Sequence, residues 1–249
     1  MVQQEKRLTK KQKRVLRQQG ILQHENEPKI GFRINEVNPL TDNQQRAFEA
    51  FDKGKNLLLH GMAGTGKTFI SMYLALSDVT SPLGDHNKVV IVRSVVPTRD
   101  MGFLPGNSKE KAAVYEAPYS IIATELFNRG DAYQILKQKN LVEFISTSFI
   151  RGTTLNDCIV IVDEVSNMTL HELDSVITRM GKNCKVIFSG DFRQSDLTKE
   201  QERNGLKDFM RILNNMKSFD YVEFDENDIV RSGLVKEYII AKDRLKIHT

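Results

Sequence analysis

The chain has 249 residues, of which 40% are hydrophobic and 27% are charged, as is usual for a globular protein. No apolar run is long enough to cross a membrane, and no apolar segment follows the basic N-terminus, so we expect a cytoplasmic protein without a membrane partner. Two cysteines are too few for a zinc site, and we expect both to be reduced. A net charge of +4 is compatible with a polyanionic partner but does not by itself predict one.

The first 39 residues differ in composition from the rest of the chain. Within the first 17 residues Glu5 is the only acid, and basic side chains cluster at Lys6, Arg7, Lys10, Lys11, Lys13, Arg14 and Arg17. Such a cluster is typical of an arm that binds nucleic acid or of a solvated, partly flexible tail, and the sequence leaves both open. Pro28 and Pro39 follow, and we place the start of a single folded domain at Leu40, giving an arm over 1–39 and a domain over 40–249.

The stretch from residue 56 to residue 76 contains an apolar run, a glycine-rich turn and a second apolar run. The turn matches G-x-x-x-x-G-K-[ST] without a gap, between a predicted strand and a predicted buried helix. Glycines let the backbone wrap around an anion, and N–H groups of the turn and of the helix N-terminus point at it. We therefore predict a phosphate loop, with a plain glycine-rich turn as the alternative. Its predicted nucleotide-binding residues are Gly61, Met62, Ala63, Gly64, Thr65, Gly66, Lys67 and Thr68.

A second anchor of the sequence is a run of four β-branched residues at 159–162, which predicts a buried strand ending in Asp163 and Glu164. Asp163 is predicted to orient Mg²⁺ together with the Thr68 hydroxyl, while Lys67 reaches the β- and γ-phosphates. Glu164 stands one position further on, where a carboxylate can reach a water in line with the γ-phosphate and act as general base. A surface acid that caps the following turn is the alternative for Glu164.

Further polar residues are candidates for contacts with the nucleotide. Gln194 ends a strand with a polar tail and could sense the γ-phosphate, or could be an ordinary loop residue. Gln44 could bond the adenine edge, although its spacing from Thr41 is already explained by a capping box. Arg231 is a candidate arginine finger, in cis or in trans, and Arg151 is a second candidate; a surface arginine at a helix N-terminus is the alternative for Arg231.

Apolar runs and helical periodicity alternate along the chain. Strands are predicted near 57–59, 89–92, 142–145, 159–162, 185–189 and 221–224, and helices near 41–51, 69–76, 119–139 with a break at Gly130, 169–180, 206–213 and 234–239. This alternation implies an α/β domain with a parallel sheet covered on both faces. The stretch from Arg93 to Pro118, which contains Arg99, Lys109 and Lys111, is predicted to be a functional loop at the ligand-binding edge of the sheet.

Five motifs follow one another in an order that resembles the PhoH family, the phosphate-starvation-inducible ATPases. They are Gly61–Thr68, Gly102-Phe103-Leu104-Pro105-Gly106, Arg151-Gly152-Thr153-Thr154-Leu155, the stretch from Val162 to Thr169, and the stretch from Ser189 to Gln194. The resemblance covers about residues 40–244, and the second, third and fifth motifs are the specific ones. Val165-Ser166 stand where the family often has Ala-Gln, which alters the turn but not the two acids.

The resemblance implies a single RecA-like P-loop NTPase domain similar to the core of superfamily-1 helicases, with Mg-ATP as substrate and RNA as the suspected partner. By this resemblance, Gln44 corresponds to the glutamine that contacts adenine in helicases. Asp163 and Glu164 correspond to the metal-binding and catalytic acids, and Gln194 corresponds to the phosphate sensor. We expect ATP hydrolysis with Mg²⁺ coupled to RNA or single-stranded DNA. The alternatives are a nucleotide-gated binding switch and a P-loop small-molecule kinase.

An isolated RecA-like core exposes the γ-phosphate at its edge, where a second core covers it in monomeric motors. We therefore expect a closed homo-oligomer, such as a hexameric ring, in which a neighbouring copy covers the nucleotide.

Overall fold

A computed structural model describes residues 30–94, 108–191 and 200–245, with side chains at 30–94, 114–191 and 205–245. The helices are α1 Asp42–Asp52, α2 Lys67–Thr80, α3 Ser108–Phe127, α4 Ala132–Gln138, α5 Leu170–Ile177, α6 Glu200–Asn214 and α7 Gly233–Arg244. The strands are β1 Asn56–Gly61, β2 Lys88–Arg93, β3 Val142–Ser146, β4 Cys158–Asp163, β5 Lys185–Gly190 and β6 Phe219–Phe224. None of the described helices combines the length and apolarity needed to cross a membrane.

The strands form one sheet in the order β3–β2–β4–β5–β1–β6, and all neighbouring strands are parallel. Strand β5 separates β1, which leads into the phosphate loop, from β4, which ends at Asp163. Phe188 on β5 lies opposite both Leu58 on β1 and Val162 on β4. Because this register aligns the strands, β1 and β4 deliver their following residues to the same edge of the sheet.

Alternate side chains of the strands enter two separate hydrophobic cores. Leu57 and Leu59 face the core formed with α1, α2, α3 and α4, whereas Leu58 faces the core formed with α5 and α6. A sheet buried on both faces needs the near-continuous apolar runs that the sequence shows. The predicted fold class, a single RecA-like P-loop NTPase domain with helices on both faces of a parallel sheet, is confirmed.

The segment before α1 already belongs to the packed structure. Ile30 is buried, and Phe32, Ile34 and Val37 pack against the same core. The Asn35 N–H also donates a 2.8 Å hydrogen bond to a carbonyl oxygen near the end of α3. The division of the chain at Leu40 stays a prediction, and residues 1–29, which carry the basic cluster, lie outside the described residues.

Helix α3 is longer than the sequence analysis predicts. The irregular loop predicted for residues 108–118 is wrong, because the helix begins at Ser108 and contains Pro118. An internal proline costs about 3 kcal/mol. Just after it, the helix buries Tyr119, Ala123 and Leu126, and each large apolar side chain contributes about 1.5–3 kcal/mol. Burial therefore outweighs the proline. Arg93, at the start of the predicted loop, belongs to β2, and residues 95–107 lie outside the described residues.

Candidate nucleotide-binding site

The phosphate loop depends on glycine at the positions where the backbone is left-handed or crowded. Gly61 has φ +127°, and a Cβ there would lie 2.0 Å from the carbonyl oxygen of Phe224 on β6. Gly66, with φ +83°, is the residue from which α2 starts. The loop can therefore turn sharply from β1 into α2 and aim the first N–H groups of that helix at the space above it.

The Lys67 ammonium lies over the oxygen atoms of its own loop. It donates hydrogen bonds to the carbonyl oxygens of Gly61 at 2.8 Å and Met62 at 2.6 Å, and to the Thr65 hydroxyl at 3.2 Å. The Thr65 hydroxyl in turn donates to the Met62 carbonyl at 2.9 Å. These bonds hold a positive charge at the mouth of the loop, next to the N-terminus of α2.

Asp163 is connected to the phosphate loop through Thr68. The Thr68 hydroxyl donates a 3.0 Å hydrogen bond to Oδ1 of Asp163, which is only 5% exposed. A hydroxyl and a carboxylate are oxygen ligands that suit Mg²⁺, which is usually held by one or two carboxylates plus phosphate oxygens and water. The described residues contain no group of three or more His, Cys, Asp or Glu side chains that could hold a metal ion. Phosphate oxygens and water would supply the rest of the shell of a Mg²⁺ ion at this pair.

Tyr119 is a site residue that the sequence analysis missed. Its hydroxyl donates a 2.9 Å hydrogen bond to Oδ2 of Asp163, and its side chain is fully buried. Burial, reinforced by the neighbouring carboxylate, raises the pKa of the phenol, so Tyr119 stays a neutral hydrogen-bond donor. A buried tyrosine needs a partner for its hydroxyl, and this is the signal that could have drawn attention to it. The identity of the partner depends on how α3 packs beside β4.

Glu164 leaves the end of β4 in a left-handed conformation, with φ 57° and ψ 41°. This conformation costs a non-glycine residue about 1–2 kcal/mol and is found disproportionately at functional sites. Arg93, the last residue of β2, donates to its carboxylate at 3.3 Å. Burial alone would lower the pKa of the Arg93 guanidinium, but the nearby carboxylates of Glu164 and Asp163 and a hydrogen bond to the Tyr119 hydroxyl outweigh burial, so the pKa is raised. Arg93 thus remains a cation beside the candidate base.

A cavity of about 710 Å³ brings most of the predicted residues together. The predicted residues that line it are Gln44, Ala63, Gly64, Thr65, Gly66, Lys67, Thr68, Asp163, Glu164 and Arg231. Gly61 and Met62 lie beneath the loop, where their carbonyls hold Lys67. Gln194 lies outside the described residues, and Arg151 follows β3 at the far edge of the sheet.

Arg231 lies against the phosphate loop of its own chain. A Cβ added to Gly64 would meet Cγ of Arg231 at 3.0 Å, which is closer than most real Cβ contacts. The Val230 N–H also donates a 3.1 Å hydrogen bond to the Gly64 carbonyl. The segment before α7 is therefore attached directly to the loop.

Gln44 links the loop to the segment before α1. Its amide oxygen accepts from the Leu40 N–H at 2.8 Å, and its amide nitrogen donates to the Thr65 carbonyl at 3.1 Å. The Thr41 hydroxyl accepts from the Gln44 N–H, so only half of the predicted capping box forms. At the start of α5, by contrast, a complete capping box joins Thr169 and Glu172. A contact between Gln44 and adenine stays a prediction.

The parallel sheet, the glycine-rich loop and the Thr68–Asp163 pair define the class of this protein as a P-loop NTPase. Its sequence matches the family described as PhoH-like protein over residues 36–242. The chain belongs to the PhoH family.

Individual relatives agree with this assignment. A PhoH-like protein of Mycobacterium leprae is 31% identical over 218 residues, covering 85% of this chain and 60% of the relative. A PhoH-like protein of Bacillus subtilis is 32% identical over 202 residues, covering 80% of this chain and 62% of the relative. The chain thus spans about three fifths of the length of these relatives.

Among solved structures, the large terminase of a thermophilic bacteriophage aligns with a TM-score of 0.48 and 12% identity, covering 81% of this chain and 50% of the terminase.

Proposed function

We propose that this protein binds and hydrolyses ATP with Mg²⁺ and couples the reaction to RNA or single-stranded DNA. The observation that carries the proposal is the 3.0 Å contact between Thr68 and Asp163 at a cavity that Lys67 and Glu164 also line. A hydroxyl, a carboxylate, an ammonium and a second carboxylate around one anion-binding loop are the parts that phosphoryl transfer to water requires.

Each residue of the site has a separate role in binding or hydrolysing the nucleotide. Lys67 binds the β- and γ-phosphates, and Thr68 with Asp163 holds Mg²⁺, which when bound neutralises charge that develops on the phosphates. Glu164 accepts a proton from the attacking water. Arg231 and Gln194 contact the γ-phosphate. A side-chain amide has two N–H hydrogens and two oxygen lone pairs, and the bonds to Thr65 and Leu40 use one of each. Gln44 contacts adenine through the remaining hydrogen and lone pair.

Glu164 favours hydrolysis over transfer to a small-molecule acceptor. A kinase needs an acceptor site rather than a carboxylate aimed at water, whereas Glu164 follows Asp163 directly and lines the cavity. A nucleotide-gated switch without translocation remains the second candidate, because the same cavity could change its shape with bound nucleotide while turnover stays incidental.

The test is phosphate release measured with ATP, with and without Mg²⁺ and with and without single-stranded RNA or DNA. We expect hydrolysis to require Mg²⁺ and to rise with nucleic acid. Lys67→Ala should lower ATP affinity or rate at least about tenfold, because a hydrogen bond to a charged group is worth roughly 1.5–3 kcal/mol. Unchanged binding and hydrolysis in this variant would reject the site. Nucleic-acid binding that depends on ATP without stimulated turnover would support the switch.

We also propose a homo-oligomer, such as a hexameric ring, as the active form. Its support is the apolar surface of α7, next to Arg231: Leu234 is 80% exposed and Tyr238 is 68% exposed. A second copy could cover these side chains and the adjoining cavity in a head-to-tail contact. Mass measurement in the presence of ATP tests this, and a monomer at full activity would exclude it.

A further inference from the structure

An exposed aromatic side chain follows the edge strand β3. Phe149 is 72% exposed, although the next residue, Ile150, is fully buried. A phenylalanine side chain in water forgoes the favourable free energy of burial, and its buried neighbour fixes the chain directly beside it. Single exposed apolar residues are common on proteins, so the case for a site depends on what surrounds this ring.

The backbone around Phe149 is held by hydrogen bonds on both sides. Before it, the Thr147 hydroxyl donates to Glu172 on α5 at 2.7 Å. After it, Gly152 has φ +82°, and the Thr153 hydroxyl donates to the Ile150 carbonyl at 2.8 Å, which closes a tight turn. A surface that is already ordered loses less entropy when it binds a ligand.

The same turn presents a cation. Arg151 is exposed and forms no ion pair with any residue that the structure describes. The Glu172 carboxylate, which accepts from Thr147, also accepts from Ser94 and Thr169. The turn therefore offers an aromatic face and an available guanidinium, which we call the Phe149 platform and define as Phe149, Arg151, Gly152 and Thr153.

We propose that the Phe149 platform binds single-stranded nucleic acid, with a base stacked on the Phe149 ring and a backbone phosphate bound by Arg151. Stacking on an aromatic ring next to a basic residue is how proteins bind single strands without reading their sequence. The exposed guanidinium of Arg151 beside the ring favours a polyanion as the occupant, with which the net charge of +4 is compatible. The proposal rests on the proposed coupling to nucleic acid and adds the place where the strand binds.

The platform lies to one side of the nucleotide cavity and is connected to it. Strand β3 is four positions from β1 and two from β4 in the sheet, which is roughly 19 Å and 10 Å at about 4.8 Å per strand. Ser94 and Thr147 donate to the same oxygen of Glu172. Ser94 directly follows Arg93, which contacts Glu164. A strand on the platform would thus act on the chain segment that holds the candidate base.

The sharpest probe is Phe149→Trp, because the chain contains no tryptophan. The variant would have one indole, placed on the platform, and bases that stack on indole quench its fluorescence. We expect saturable quenching by oligo(U) and oligo(dT) that weakens as salt is raised. Binding is measured in parallel by the anisotropy of a labelled strand, so that binding and stacking are separate readouts.

The outcomes separate this proposal from the proposed function. Binding without quenching would place the strand elsewhere and overturn the platform while keeping the coupling to nucleic acid. No binding at all would reject both. Quenching or a spectral shift that rises with protein concentration, without nucleic acid, would show that a second copy covers Phe149 and would also overturn the platform.

Substitutions quantify the two contacts. Phe149→Ala should weaken strand binding at least about fivefold and leave ATP hydrolysis without nucleic acid unchanged, whereas Phe149→Tyr should retain binding. Arg151→Ala should reduce the slope of log affinity against log salt by about 0.7. Ile212→Ala removes another exposed apolar side chain, on α6, and is the matched control. An equal loss in Phe149→Ala and Ile212→Ala would deny the platform a specific role.

Discussion

Tyr119 and Thr68 hold opposite oxygens of the Asp163 carboxylate. The phenol donates to Oδ2 at 2.9 Å, and the Thr68 hydroxyl donates to Oδ1 at 3.0 Å. A carboxylate held at both oxygens has little freedom to rotate. Helix α3 therefore sets the orientation of the acid that we assign to Mg²⁺, although no part of α3 belongs to the phosphate loop or to β4. Tyr119 is a positioning residue in this arrangement.

We expect Tyr119→Phe to raise the Mg²⁺ concentration needed for half-maximal nucleotide binding by about tenfold. The change removes only the hydroxyl, and a hydrogen bond to a charged group is worth about 1.5–3 kcal/mol. The measurement is a Mg²⁺ titration of the binding of a fluorescent ATP analogue, which does not require turnover. ATP binding without Mg²⁺ should be unaltered, because Tyr119 does not contact the phosphate loop.

Tyr133→Phe is the matched control for this experiment. Tyr133 is also buried, at 2% exposure, but it lies on α4 and does not line the cavity. If both variants shift the Mg²⁺ titration equally, the effect reflects general loosening of the core. If Tyr119→Phe leaves the titration unchanged, the phenol does not position Asp163.

Glu164→Gln should bind ATP normally and hydrolyse it about 10²–10⁴-fold more slowly. The amide keeps the shape of the side chain but cannot accept the proton of the attacking water. Single-turnover hydrolysis separates this loss from a change in product release. Glu143→Gln, which alters a half-exposed acid on β3, is the control. Parental turnover by Glu164→Gln would assign the base to another residue.

The Glu172 carboxylate should make the fold sensitive to acid. Burial raises its pKa, but hydrogen bonds from Thr147, Thr169 and Ser94 outweigh that effect, so the folded pKa lies below its ordinary value of 4.5. A lowered folded pKa stabilises the protein above the unfolded pKa, and the stabilisation is lost as the pH falls through the folded pKa.

Glu172→Gln removes this titration. We therefore expect the variant to lose less unfolding free energy than the parent between about pH 5 and pH 3, in urea unfolding at a series of pH values. Glu143→Gln, which makes the same exchange at another glutamate, serves again as the control. Parallel pH profiles for the parent and Glu172→Gln would contradict the assignment.

The sequence predicts the parts of the site that are local in the chain. The phosphate loop and the acidic end of β4 are each written in fewer than ten consecutive residues, so motif and context suffice. The contacts that orient them join distant positions: Tyr119 and Asp163 are 44 residues apart, and Arg93 and Glu164 are 71 apart. Such pairs depend on which strands are neighbours in the sheet, which local patterns do not specify.

Gln44 illustrates the same limit on a smaller scale. The capping-box spacing correctly predicts that the Thr41 hydroxyl accepts from the Gln44 N–H. The Gln44 side chain instead bonds the Thr65 carbonyl, because folding brings α1 beside the loop. The capping-box spacing thus predicts the hydrogen bond of the Gln44 backbone, whereas tertiary packing determines the partner of its side chain.

We expect Arg231 to act on the nucleotide of its own chain. It lines the cavity and packs against Gly64 through its Cγ atom, so its guanidinium has a short path to a γ-phosphate above Lys67. Arg231→Ala should lower the rate of hydrolysis by about 10³–10⁵ if the side chain acts as a finger. Arg244→Ala removes an exposed arginine at the end of α7 and should have little effect.

Mixing two inactive variants distinguishes action in cis from action in trans. If Arg231 serves a neighbour, oligomers that combine Glu164→Gln chains with Arg231→Ala chains contain some interfaces with both groups intact, and activity returns. If Arg231 serves its own chain, every site lacks one of the two groups, and the mixture stays inactive. We expect the second result, measured as phosphate release after labelled chains have been shown to exchange. Recovery of activity would move Arg231 to the neighbouring site, and it would at the same time establish that the nucleotide is shared between subunits.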